Sequence, residues 1–214
     1  MRPLHGIDIE RVRAFADAVF AIAITLLALE ISVPEGLPTA DLGHGLEEAL
    51  PSVAGYLLSF VVVGALWISH HRLFHMAKVL DGPLLYLDLA LMALVAALPF
   101  PTKVITEYHS NAIATSLYAG TITLAALLIT AMAIRLLSRP DLRKSDTSRS
   151  LVTQSLRQAV GVAIVFGSSV PVAMVWSDAA EYWWLLAVPV RFCLARRRPE
   201  TNEQTAVAAP CPSP

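Results

Sequence analysis

Three ionisable side chains stand at the start of an otherwise apolar stretch, RVRAFADAVFAIAITLLALEI, residues 11–31. An ionisable group inside a membrane span costs about 2.5–3.5 kcal/mol at the centre of the bilayer, less near a helix end, and usually needs a partner. Arg13 and Asp17 lie one helical turn apart on the face opposite Ile22. The candidate partners of Asp17 are therefore Arg13 and the histidines of a later segment, and a simple interfacial clamp is the alternative role.

The histidines of that later segment, WISHHRLFHM at 67–76, allow two interpretations. His71 and His75 are four residues apart on a helix and could hold a metal or a haem. Membrane haem proteins generally take axial histidines from two helices at matching depth, which the other histidines of the chain do not offer. We therefore favour His70 or His71 as a hydrogen-bonding group at the membrane edge, with Trp67 as an interface anchor or a packing residue.

The third apolar segment carries one acid and a proline pair. Asp88 stands near its start, where it can join the polar cluster formed by Asp17 and the histidines. Pro99 and Pro101 stand near its far end and should kink or end the helix.

Composition fixes the class of protein. Of the 214 residues, 56% are hydrophobic and 15% charged, and the mean hydropathy is +0.60, which is outside the range of soluble domains. A bilayer core needs about 20 apolar residues per helix. The segments that qualify are 12–33, 50–70, 84–105, 110–137, 156–176 and 180–195. We expect an all-α, polytopic membrane protein with six transmembrane helices, in which the last, interrupted by Pro189 and Arg191, is the weakest.

Charge orients these six segments. In a six-helix arrangement 15 of the 16 basic residues fall on one side, and Lys103 alone falls on the other. Because Lys and Arg collect in cytoplasmic loops, both termini are expected inside the cell, in a multi-pass protein of the cell membrane. Residues 1–198 form the membrane unit, and residues 199–214, rich in Ala, Pro, Thr and Glu, are expected to be a disordered tail.

The first helix has two stripes of different size. At 100° per residue, one stripe holds Phe15, Ile22, Leu26, Leu29 and Val33. A neighbouring stripe of small residues holds Ala14, Ala18, Ala21, Thr25 and Ala28. Small residues at this spacing let helices approach closely in lipid. The pattern fits a helix packed against copies of itself around an axis, and it equally fits an ordinary buried helix of a bundle.

The motif RVRAFAD followed by AVFAIAITLLALEI resembles the RxxxFSD signature helix of the transmembrane protein 175 family, the lysosomal potassium channels and their bacterial relatives. Arg11, Phe15 and Asp17 match the Arg, Phe and Asp of that signature. WISHHRLF at 67–74 and LPFPT at 98–102 resemble the family's second- and third-helix patterns, in the same order. The resemblance covers about the first 105 residues, and Ala16 replaces the serine of the signature.

The resemblance implies a potassium-preferring cation channel, not an enzyme, without a cofactor and without a TVGYG-type filter, which this chain lacks. It implies that the first helix lines the pore and that bulky side chains form the constriction. Carried over, the constriction falls on Ile22, with Thr25, Leu26 and Leu29 also on the pore. The clamp that holds this helix comprises Arg11, Phe15, Asp17, Trp67, His70, His71 and Asp88. Because the signature occurs once in the chain, the resemblance implies a homotetramer in the lipid bilayer.

Two other classes remain open at this stage. A proton- or cation-coupled secondary transporter would want an ionisable residue at mid-membrane and broken helices, and the middle of the first helix has neither. A membrane haem or redox protein would depend on the sequence HHRLFH alone.

Overall fold

The computed structural model of the protein describes residues 8–31, 38, 41–108, 111–175 and 184. Within these ranges the secondary structure is helical, apart from one isolated β-bridge. The α-helices are α1 Ile9–Ala28, α2 Leu42–Met76, α3 Gly82–Ala97, α4 Pro99–Glu107, α5 Ala112–Ser138 and α6 Arg149–Val175. A short 3₁₀ helix, Pro140–Leu142, follows α5. The predicted all-α class is confirmed.

Several of these helices are long and apolar enough to cross a membrane. Among the described residues the stretches that qualify are Leu42–Met76, Gly82–Glu107, Ala112–Ser138 and Arg149–Met174. The charged helix α1 adds a further twenty residues. A multi-pass membrane protein is thus confirmed, whereas the number six and the location of the termini remain predictions. The sixth predicted span, 180–195, lies outside the described residues except for Trp184, and so does the predicted disordered tail, 199–214.

The third span is built from two helices, α3 and α4. A helical proline lacks the backbone N–H and its ring meets the carbonyl four residues earlier, so Pro99 and Pro101 interrupt the ladder. The last turn of α3 is tightened, with the Leu98 N–H donating to the Val95 carbonyl at 3.2 Å. The chain then continues at once, because the Thr102 N–H donates to the Leu98 carbonyl at 3.2 Å. The proline break was predicted from the sequence, and the structure places it at Leu98.

Helix α5 is the centre of the bundle and α1 lies at its edge. Buried residues recur along the whole of α5, from Ala114 to Leu136, and the helix packs against α2, α3, α4 and α6. Helix α1 packs mainly on α2 and α3. One side of α1 therefore has no neighbour among the described residues.

Backbone and side-chain bonds fasten the end of the bundle where α1 and α3 begin and α2 and α5 end, which we call the polar end. A β-bridge joins Ala77 to Arg143, and the Lys78 N–H donates to the Leu142 carbonyl at 2.7 Å. The fully buried Asp81 caps α3 by accepting from the Leu84 N–H at 3.1 Å, and it also accepts from Arg135 Nε at 3.1 Å. The connection after α2 is thereby locked to the connection after α5.

Candidate functional site

Helix α1 has an inner face that packs against the rest of the chain. Ala16, Phe20, Ala23 and Leu27 are each at most 1% exposed. Their spacing of 4, 3 and 4 keeps them on one side of the helix. Ala16, which replaces the serine of the signature, is therefore a buried packing residue of this face.

The outer face of α1, formed by Phe15, Ile22, Leu26 and Leu29, is bare. Ile22 is 57% exposed and Leu29 is 76% exposed, which is unusual for side chains that could otherwise pack on a neighbouring helix. The adjacent small residues are exposed as well, namely Ala14, Ala18, Ala21 and Thr25. The Thr25 hydroxyl donates to the Ile22 carbonyl at 2.8 Å, so its oxygen stays close to the backbone of the outer face.

Asp17 has a different partner from those that the sequence suggested. Its Oδ1 accepts a hydrogen bond from the indole Nε1 of Trp67 at 2.8 Å, and Arg13 makes no bond to it. Trp67 in turn stacks on His71, with ring centroids 5.1 Å apart. An indole N–H donates and never accepts, so Trp67 both satisfies the carboxylate and orients the start of α1 against α2.

A second polar pair, separate from Asp17, is buried between α2 and α3. His70 Nε2 and Asp88 Oδ1 are 2.7 Å apart, and both side chains are almost completely enclosed. His70 Nδ1 and Asp88 Oδ2 have no hydrogen-bond partner among the described residues. The His70 ring also contacts Phe20 at a centroid distance of 5.8 Å. Because Phe20 belongs to the inner face of α1, the His70–Asp88 pair supports α1 on that face.

Arg13 connects α1 to the end of α2 through contacts that the sequence analysis did not predict. Its Nη1 donates to Glu10 Oε1 at 2.9 Å, and its Nη2 lies 2.7 Å from His75 Nε2. His75 Nε2 lies 3.0 Å from His71 Nε2. An arginine three residues after a glutamate is a recognisable helical pair, but the contact with His75 across 62 residues leaves no local signal.

Arg11 and Phe15, the remaining members of the predicted clamp, are exposed. The guanidinium of Arg11 makes no hydrogen bond or ion pair with any described residue. The structure therefore brings Asp17 to Trp67 and His71, and His70 to Asp88, as two adjacent clusters, and it leaves Arg11 and Phe15 outside both. No group of three or more metal-binding side chains occurs among the described residues.

At the opposite end of α1 a lysine joins two helices. Lys103 Nζ of α4 lies 3.6 Å from Glu30 Oε2, next to α1, and 3.8 Å from Glu107 Oε1. These side chains are partly exposed, so the pairs contribute little to stability. They do place Lys103 beside the end of α1.

Comparison with known proteins gives the site a context. Residues 11–99 match the family model described as endosomal/lysosomal potassium channel TMEM175. A protein named as a potassium channel in Streptomyces collinus is 40% identical over 126 residues, which are 57% of this chain and 61% of that protein. One with the same description in Chamaesiphon minutus is 43% identical over 115 residues, 51% of this chain and 57% of that protein. These matches span about three fifths of the relatives' own length.

A solved structure extends the likeness beyond the first three spans. It is the crystal structure of a lysosomal potassium-selective channel TMEM175 homologue from Chamaesiphon minutus, with a TM-score of 0.73 and 28% identity. The superposition covers 87% of this chain and 97% of that one.

Proposed function

We propose that the chain is a bacterial member of the TMEM175 family and a subunit of a potassium-conducting channel of the cell membrane, with both termini inside the cell; the family match over 11–99 and the bacterial relatives support this. The observation that carries the proposal is the bare outer face of α1. An apolar face without a neighbour needs either lipid or other protein against it. The names of the relatives favour a channel that conducts potassium.

The subunits assemble as a homotetramer around α1. The chain carries the signature once, and one α1 helix cannot enclose a pore. The exposed small residues beside the outer face allow four α1 helices to approach closely. Closed rotational symmetry then sets the outer face of each copy toward a common axis.

Ile22 forms the narrowest ring of this pore, with Thr25, Leu26 and Leu29 lining it beyond. A ring of isoleucine side chains offers no oxygen to replace the water that an ion loses, so the barrier is one of dewetting. No ionisable residue lies on α1 from Ala18 to Leu29, which leaves this stretch apolar. The ring therefore limits the rate of ion flow.

The polar end holds the start of the pore helix in position. The bond from Trp67 to Asp17, backed by the stacking of Trp67 on His71, and the buried pair His70–Asp88 hold α1 against α2 and α3. Each of these contacts lies away from the outer face. Their role is to hold the helix, while ions pass along the other side. Arg11 and Phe15, exposed within one subunit, contact the neighbouring copies.

A proton-coupled carrier is the second candidate, because α3 and α4 break within one span and His70–Asp88 is a buried titratable pair. Broken helices and buried ionisable groups are features of secondary transporters. A carrier would move potassium against its gradient when a pH difference is applied to liposomes. A channel would not.

The experiment that tests the channel is potassium and sodium flux from liposomes containing wild type, Ile22→Asn or Leu124→Asn. Leu124 lies on α5 and is about half exposed, so the control introduces the same amide away from α1. We expect Ile22→Asn to raise flux about tenfold, equivalent to a barrier lower by about 1.4 kcal/mol, and to bring the two permeabilities closer. If Ile22→Asn leaves flux and selectivity unchanged, or if Leu124→Asn changes them equally, α1 does not line the pore.

A further inference from the structure

A cavity of about 390 Å³ opens at the polar end, between the last turns of α2 and the first turns of α6. Its walls are His71, Arg72, His75, Met76, Leu151, Gln154, Ser155 and Gln158. The volume lies within the range of small-molecule sites, about 300–1,000 Å³. The cavity is on the side of α2 that the outer face of α1 does not reach.

The charges around this cavity favour an anion. None of its walls is a carboxylate, and Arg72 is exposed without a hydrogen bond or ion pair to any described residue. Two acids of the polar end are already paired, since Glu10 is bound by Arg13 and Asp17 by Trp67. Arg13 itself adds positive charge behind the wall, because it contacts His75.

The floor of the cavity holds a polar group without a partner. Gln158 is 3% exposed, and its amide makes no hydrogen bond with any described residue. The amide carries two donors and an acceptor, which a ligand in the cavity can bind. Ser155 beside it is also buried and donates to the Leu151 carbonyl at 3.3 Å.

We infer that this cavity binds the phosphate group of an anion, with Arg72 as the counter-charge at the mouth and Gln158 as the donor at the floor. A guanidinium pairs with two phosphate oxygens at once, and the first turn of α6 presents the positive end of a helix. Met76 and Leu151 give the remaining wall an apolar character, which suits the glycerol or alkyl portion of a phosphate ester. A lipid headgroup and a soluble ester share this chemistry.

Occupancy of the cavity should also change ion flux. His71 and His75 line the cavity and at the same time contact Trp67 and Arg13, which hold the start of α1. A phosphate that draws the histidines toward Arg72 alters those contacts. This second part of the inference rests on the proposed function, whereas the binding itself does not.

Binding is tested by thermal unfolding of the full chain in detergent. The probes are inorganic phosphate, glycerol 3-phosphate, phosphatidylglycerol and, for comparison, phosphatidylcholine, each against potassium chloride of equal ionic strength. A ligand that binds only the folded chain raises the midpoint, by about 2–4 °C near saturation for a chain of this length. A rise with phosphatidylglycerol alone identifies the lipid, and a rise with glycerol 3-phosphate or phosphate identifies a soluble source. If none of the three phosphates raises the midpoint above its control, the inference is wrong.

Three variants locate the binding. Arg72→Gln and Gln158→Leu should reduce the shift at least about threefold, because each removes one phosphate contact. Arg157→Gln removes the same charge from an exposed position next to Gln158, outside the cavity, and should keep the full shift. An equal shift in all four proteins would place the phosphate elsewhere and overturn the inference.

Flux from liposomes with and without the phosphate that binds completes the test. Wild type and Arg157→Gln should change their flux about twofold or more when it is added, while Arg72→Gln and Gln158→Leu should respond less. A thermal shift without any change in flux refutes the coupling but not the binding. If no preparation conducts ions at all, the proposed channel fails while the thermal shift still decides the binding site.

Discussion

The two apolar faces of α1 differ in what surrounds them, although their residues are of the same kind. The inner face, with Phe20 and Leu27, is enclosed by α2 and α3. The outer face, with Ile22 and Leu29, has no neighbour among the residues that the structure describes. Both follow the helical period, so neither type nor spacing separates them. The difference shows that the described residues of the chain pack against only one side of its first helix and leave the other side exposed.

Truncating one leucine on each face should give the largest difference in the free energy of unfolding. Leu27→Ala should lower the free energy of unfolding by about 2–5 kcal/mol, because it leaves a cavity in a fully packed site. Leu29→Ala, two residues later, should change it by less than about 0.5 kcal/mol. Denaturant titration of both variants in the same detergent measures the contrast. Equal losses would mean that the outer face is packed as tightly as the inner one.

An intermediate effect on stability is expected for the hydrogen bond by which the polar end holds α1 in position. Trp67→Phe keeps a ring on His71 but removes the donor to Asp17, and a bond to a charged group contributes about 1.5–3 kcal/mol. We expect a loss in the lower part of that range, because Asp17 is only partly buried. Tyr86→Phe, which removes a hydroxyl from an exposed ring of α3, is the control. If Tyr86→Phe costs as much as Trp67→Phe, the bond to Asp17 does not hold the helix.

The smallest effect is expected at a pair remote from both faces of α1. Arg139 donates to Asp141 at 2.8 and 3.0 Å, and this hydrogen bond lowers the pKa of the Asp141 carboxyl. A lowered pKa in the folded state adds stability above the unfolded value of about 3.9, and this contribution is lost as pH falls through the folded value. Wild type should therefore lose slightly more stability between pH 7 and pH 3 than Asp141→Asn. Identical pH profiles of the unfolding midpoint would exclude the contribution, and the pair is so exposed that any difference must be small.

The sequence predicted the features that depend on residues close together in the chain. The helical period grouped Ile22, Leu26 and Leu29, and the structure leaves these side chains on one bare face. The prolines predicted the break that the structure has at Leu98. These features depend only on neighbours along the chain, where spacing and backbone chemistry are sufficient.

The sequence failed where residues meet across long separations. It suggested Arg13 or a histidine for Asp17, but the partner is Trp67, fifty residues away. It placed Asp88 with Asp17 and the histidines, and Asp88 does pair with a histidine, His70, but not with Asp17. It gave no signal for the pair Asp81–Arg135, separated by 54 residues. Charge and polarity identify the groups that need partners, and only the packing of the helices decides which groups meet.

The long separations within the polar end also impose an order on biosynthesis. Trp67, the partner of Asp17, is synthesised 50 residues later, and His75, the partner of Arg13, is synthesised 62 residues later. At about 5–20 residues per second, α1 leaves the ribosome roughly 3–12 s before the groups that satisfy it. The nascent chain therefore completes the anchoring of its first helix only after its second has been made.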